Sequence, residues 1–165
     1  MSTPNLTHSV ILGNNIIMQS FEQLFRKSNG LPVEYNGQII CLSNPLPISN
    51  GQQIRVVFES VNSDWRQGVY ITTDGSFEVN GQTMKKAVVL WKDTAPKEVL
   101  LRVQTKKGEI RVKNVWDIGN GVMDSGHNGA AMIVEEIASG RRYNCNDGRP
   151  DDDFDDLVFR VEVLK

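Results

Sequence analysis

Polar and apolar residues alternate along most of this chain, which is the signature of strands wetted on one face only. In residues 98–105, Val99, Leu101 and Val103 share a face while Arg102 and Gln104 lie among those on the other. In residues 157–164, Leu157, Phe159, Val161 and Val163 line up against Arg160 and Glu162. Similar β-branched or alternating runs occupy 38–42, 53–59, 68–72, 76–79, 84–91, 109–116 and 130–137. Asx-Gly dipeptides such as Asp74-Gly75, Asn80-Gly81 and Asp147-Gly148 fall between them and read as tight turns that take positive φ. Many short strands at this spacing predict an all-β fold, an antiparallel β-sandwich of jelly-roll-like type.

One stretch has a different period. Within 15–27, Ile17, Phe21, Leu24 and Phe25 fall at i, i+4, i+7 and i+8, and Glu22 stands four residues before Arg26. This predicts one short amphipathic helix, stopped by Asn29-Gly30 and Pro32. The chain therefore reads as a single domain over 1–165: an N-terminal helical addition over 1–30, plugging one end of the core, and a β-sandwich over 31–165. No internal repeat or low-complexity linker breaks it.

Composition narrows the function. The chain has 165 residues, 39% of them hydrophobic and 23% charged, enough apolar content for a packed core and too much for a disordered chain. A net charge of -2 supplies no general field for nucleic acid. No run reaches the roughly 20 apolar residues of a membrane helix. Met1 to Asn15 carries no basic segment followed by an apolar stretch, so a soluble chain without a standard secretion signal is expected, its compartment open. Cys41 and Cys145 are not spaced as a metal pair. They read as two small hydrophobes, with a single disulfide as the alternative.

The chemistry is concentrated near the C-terminus. Six of the 20 acidic residues lie between Asp147 and Asp156. Packing so many carboxylates together is electrostatically unfavourable unless solvent or a cation neutralises them. Calcium takes six to eight oxygens in flexible geometry, so alternate carboxylates at Asp151, Asp153 and Asp155 can wrap one ion while Asp156 or Asp147 completes or bridges it. The alternative is a solvated acidic loop. Alternation of the acids, and a strongly patterned strand starting right after Asp156, favour the metal. An EF-hand fails, because its sixth position needs Gly and here holds Asp156, and because the exit segment has strand period.

Asp147-Gly148, followed by Asp151-x-Asp153-Phe154-Asp155-Asp156-Leu157-Val158-Phe159, resembles the D-G-x-D-x-D-(Y/F)-(N/D)-D-hydrophobic signature of bacterial calcium-dependent fucose- and mannose-binding lectins. It is also similar to a wider set of bacterial calcium-binding β-sandwich domains that end in D-x-D-(F/Y)-(N/D)-D-L-V-F. The resemblance covers about twenty residues. It implies that Asp151, Asp153, Asp155 and Asp156 are calcium ligands, with Asn146 where the lectins place a ligating Glu. It further implies two adjacent ions that bind sugar hydroxyls directly, helped by a C-terminal Gly carboxylate from a partner subunit, hence a possible homo-oligomer. This chain has one extra residue between Gly148 and Asp151, Asn for Glu at 146, and a terminus reading Val163-Leu164-Lys165. A single structural calcium is the alternative those differences leave open.

Other candidates are secondary. The Gly-rich stretch 116–129 offers Asp117, Asn120 and Asp124 as further oxygens if it folds beside the acidic loop, and a solvated connector if it does not. Trp65, in the polar stretch 62–67, is a candidate to stack on a sugar face, whereas Trp91 and Trp116 read as core. Neither His8 nor His127 sits in a nucleophile or H-E-x-x-H setting, and adjacent Glu135 and Glu136 should point to opposite faces of a strand. The expectation is a non-catalytic, calcium-dependent carbohydrate-binding module. A calcium-stabilised adhesion domain that binds protein is the second reading and a hydrolase a distant third.

Overall fold

The computed structural model describes residues 8–12 and 15–165, with side chains from Gln19 onward. Every described strand pairing is antiparallel. β1 (His8–Leu12) and β2 (Asn15–Gln19) form a two-stranded ribbon, followed by helix α1 (Phe21–Lys27). Then come β3 (Val33–Tyr35), β4 (Gln38–Cys41), β5 (Asn44–Pro47), β6 (Gln53–Val61), β7 (Arg66–Val79) and β8 (Gln82–Trp91). They are completed by β9 (Glu98–Gln104), β10 (Glu109–Asp117), β11 (Ala131–Ile137), β12 (Gly140–Asn146) and β13 (Leu157–Val163). These eleven strands make one hydrogen-bonded sheet in the order β3-β4-β11-β12-β13-β6-β9-β7-β10-β5, with β8 attached to β7.

The sheet curls, because one apolar cluster draws Cys41 from β4, Leu46 from β5, Val88 from β8 and Phe159 from β13. A flat sheet could not bring strands from both halves of that order into one core. Strand β7 provides the bend. Its first half pairs with β10 and its second with β9, and the register shifts between Thr72 and Ser76. Runs 68–72 and 76–79 are therefore one strand, and Asp74-Gly75 is not the turn its sequence suggests. Neither residue has positive φ. Glycine is needed there for close approach instead: a Cβ would stand 2.0 Å from the carbonyl oxygen of Gln104.

The helix also differs from expectation. It begins at Phe21, not near residue 15, because Ser20 and Gln23 form a capping box: the Ser20 hydroxyl accepts from the Gln23 amide and the Gln23 side chain accepts from the Ser20 amide. Upstream, Ile16 and Ile17 favour extended backbone and lie in β2; the Ile17 side chain falls outside the described residues, as do His8's and most of Met1 to Asn15. A seven-residue helix is too short to persist alone. Burial of Phe21, Leu24 and Phe25 against Tyr35, Ile40 and Phe154 holds it, forming a second apolar cluster. The Glu22–Arg26 pair forms at 3.2 Å.

Strand β12 was hidden by its charges. Tyr143 and Cys145 go into the core, while Arg142 pairs with Glu59 on β6 at 2.8 Å and Arg141 with Glu136 on β11 at 2.7 Å. Both cysteines are buried and free. They flank Met132 on either side of β11, two strand spacings or about 9.5 Å apart, and a disulfide requires less than about 7 Å.

Candidate metal centre

Residues 147–156 connect β12 to β13, and Cys145 pairs with Leu157 at the neck of the loop. The Asp147 amide donates to Asp156 Oδ2 at 2.8 Å, closing that neck. Inside, Asn146 works as a brace. Its Nδ2 donates to the Asp151 carbonyl at 2.8 Å and its Oδ1 accepts from the Phe154 amide at 2.7 Å, which curls the loop around one fully buried side chain. Phe154 takes φ of 52°, an unfavourable conformation for a non-glycine residue. Its ring is held in return against Phe21, with centroids 5.8 Å apart. The back of the loop is thus plugged into the helix cluster, and Tyr35 Oη donates to Asp152 Oδ2 there at 2.6 Å.

The opposite side gathers carboxylates. Asp151, Asp153 and Asp156 each offer an oxygen, all within 4.8 Å of one another, a group formed with Asp156 in the place expected of Asp155 and without Asp147. Burial, as the largest cause, pushes the Asp156 carboxyl up to about 8, with the neighbouring Asp147, Asp151 and Asp153 carboxylates adding to the rise. Asp153 is raised to about 7 by burial and by contacts with Asp155 and Asp151, and Asp151 is raised chiefly by burial. Asp151 Oδ1, in this group, and Asp155 Oδ1, beside it in sequence, are buried with no hydrogen-bond partner. Buried oxygens without donors, beside carboxyls that resist ionisation, are the environment a hard cation relieves. The group opens onto a polar cleft of about 350 Å³ that Asn62, Ser63, Asp64 and Arg149 complete.

The remaining predicted residues lie around this group in other roles. Asp147 is fully buried and already supplied with donors: the Ser63 hydroxyl at 2.6 Å, Gln67 Nε2 at 3.0 Å and the Arg149 amide at 3.0 Å. Asp155 Oδ2 accepts from Asn62 at 2.8 Å, which leaves its other oxygen for an ion. Asp147-Gly148 lacks the positive φ expected of it. Gly148 packs under Trp116, where a Cβ would meet the ring at 2.9 Å. This contact sets the 116–129 segment beside the acidic loop, as does the Gly129 amide donating to the Gly148 carbonyl. The side chains of Asp117 and Asn120, however, serve their own turns. Asp117 Oδ1 accepts from the amides of Gly119, Asn120 and Gly121, Asn120 Oδ1 accepts from Val122, and Asp124 pairs by backbone with Trp116. Trp65 does not line the cleft; the Arg149 guanidinium, which does, lies over its ring at 4.6 Å.

Sequence reasoning missed the brace and the plug. Tyr35 is 117 residues from Asp152, so nothing local announces their bond. No protein-family model, no curated protein and no solved structure matches this chain.

Proposed function

We propose that the 147–156 loop binds calcium and that the protein is a non-catalytic, calcium-dependent carbohydrate-binding module of the kind its motif resembles. One observation carries the reading: three carboxylates, one of them with a buried, donor-free oxygen, converge at the floor of an open polar cleft. Asp151, Asp153 and Asp156 would hold the ion, with Asp155 Oδ1 as a further oxygen. Calcium would supply open coordination positions for sugar hydroxyl oxygens, and carboxylates nearby would accept hydrogen bonds from those hydroxyls. The chain's own part is to keep those carboxylates converged, through the Asn146 brace, and to keep the cleft open. In this reading the curled sheet packs in the manner of a sandwich, the shared core of both its halves being the support. The non-catalytic reading is supported by Glu135 and Glu136, whose carboxylates face Arg142 and Arg141 in ion pairs.

A glycan array probed with calcium and then with chelator tests this. Binding that needs calcium and vanishes in Asp156→Ala supports the reading, and glycan binding indifferent to calcium sinks it. A second reading, calcium as a structural clamp on an adhesion domain, is favoured by one feature. Asn146 stands where the lectins have a ligating acid, and both atoms of its amide are engaged within the loop. That reading expects metal-dependent stability with no glycan signal.

A further inference from the structure

A second groove crosses the outer face of β10 and β7 and shares no residue with the carboxylate cleft. Along β10, Ile110 and Val112 point into the core and are fully buried, so Glu109, Arg111 and Lys113 point outward. Arg111 lies opposite Thr72 and Lys113 opposite Tyr70 on β7, putting these four side chains on one surface. Two clefts, of about 230 and 170 Å³, meet there at Thr72 and Arg111. Lys107 lines the first and Ser43 the second.

The charge in this groove is positive although the chain as a whole is not. Lys107, Arg111 and Lys113 contribute three cations. Two acids line the first cleft with Lys107 and Arg111: Asp74, a carboxylate held by the Thr105 hydroxyl and the amides of Lys106 and Lys107, and Glu109, which pairs with Arg111 at 3.9 Å; the excess positive charge therefore lies in the second cleft, which Arg111 and Lys113 line with no acid. The cations are also held in place. Arg111 donates to the Ser43 hydroxyl at 3.1 Å, and Lys113 donates to Ser125 at 3.2 Å with its ammonium 4.9 Å from the Tyr70 ring centre. Each cleft is smaller than the roughly 300 Å³ of an ordinary small-molecule pocket, so an extended chain lying across both fits better than a compact ligand. Hydroxyls of Ser43 and Thr72 beside the cations suit a ligand that carries both anionic groups and hydroxyls. A nucleic acid would want a wider basic face and free aromatic platforms.

We propose that this groove binds an acidic polysaccharide, a hydroxyl-rich chain bearing carboxylate or sulfate groups, and that it does so without a divalent cation. The site is independent of the calcium loop and stands or falls separately from it.

The test is biolayer interferometry on the full chain in chelator at low salt, against heparin for sulfate, polygalacturonate for carboxylate, neutral dextran, and a single-stranded DNA oligomer. At least one acidic polysaccharide should bind where dextran does not, weakening as salt rises. Arg111→Gln with Lys113→Gln should weaken it about tenfold or more, since two charge-assisted contacts are lost. Thr72→Glu, which sets an anion between the cations, should do the same. Lys92→Gln with Lys97→Gln, lysines of a different cleft beside Glu59, should leave binding unchanged. The proposal is overturned by no preference over dextran, by equal loss in the Lys92 and Lys97 pair, or by binding that survives Thr72→Glu. DNA binding as tight as either polysaccharide, with the same dependence on Arg111 and Lys113, overturns it too.

Discussion

Asp74 and the aspartates at the end of β12 sit in opposite electrostatic conditions. Asp74 follows the bend in β7 and accepts one hydroxyl and two backbone amides, which hold its carboxyl below the usual carboxylate range, the Thr105 hydroxyl being the largest cause. Asp156, buried, and Asp153, more exposed, each accept one backbone amide and otherwise face neighbouring carboxylates, and their carboxyls are raised to about 7 for Asp153 and about 8 for Asp156. An aspartate that the chain supplies with donors is a structural part. Aspartates that the chain crowds together and leaves short of donors await a cation from outside.

The largest effect that separates the two is calcium itself. An ion that binds only the folded state at a hundred times its Kd adds about 2.7 kcal/mol, or roughly 5–10 °C in Tm for a chain of this size. Thermal melts with calcium and with chelator should differ by that much in the wild type and in Asp74→Ala, whereas Asp156→Asn should show no difference. A wild-type Tm unmoved by calcium, in protein shown to start metal-free, would end the metal reading.

The pH dependence should have opposite sign in the two regions. Carboxyls raised above their unfolded value hold protons in the folded state that the unfolded chain has released. Metal-free protein should therefore lose stability from the cluster as pH rises from about 4 through about 8. The Asp74 contribution is present above the ordinary carboxylate range and disappears only as pH falls through its lowered value. Calcium competes with those same protons, so its affinity should climb between pH 6 and 8 with proton release. Titration calorimetry in two buffers of different ionisation enthalpy reads that release directly; calcium binding with none would contradict the raised carboxyls.

Within the loop, alternate residues should differ strongly. Asp153 belongs to the converging group, and Asp152 points to the back, where Tyr35 holds it. Asp153→Ala should lower calcium affinity by about a hundredfold, the loss of a charged ligand, and Asp152→Ala by far less. Equal losses would mean a diffuse acidic patch.

The inward faces of β9 and β13 were legible in the sequence, because each follows from a strand's period of two. Strand β12 was not, since Arg141 and Arg142 break its hydrophobic pattern and their Glu partners lie on other strands. The Asp74-Gly75 dipeptide misled, because a glycine demanded by a passing backbone looks the same in sequence as one demanded by a turn. Ser20-x-x-Gln23 was the available signal for the true helix start and went unread behind the longer apolar periodicity. In the loop, the acids were plain, but that Asn146 braces the backbone, and that Asp147 is saturated by Ser63 and Gln67, are facts of contacts distant in sequence.

The smallest predicted effect concerns the plug behind the loop. Tyr35 lies in the helix cluster, with its ring edge-on to Phe21 at 4.9 Å, and its hydroxyl reaches through to Asp152 at 2.6 Å. Tyr35→Phe keeps the ring and its packing and removes only that hydroxyl. If the bond serves merely to stabilise the fold, the variant should melt lower by the same amount with and without calcium. If it holds the loop in its converged shape, calcium affinity should fall about three- to tenfold, the scale of one charge-assisted hydrogen bond, and the melting difference should be larger with calcium than without. Phe154 explains why the second outcome is expected. Its positive φ is tolerated only while its ring stays in the cluster that Tyr35 and Phe21 build, and Asp153 and Asp155 hang on either side of it. Loosening the plug releases that turn, and the carboxylates it converges drift apart before the sheet itself is disturbed.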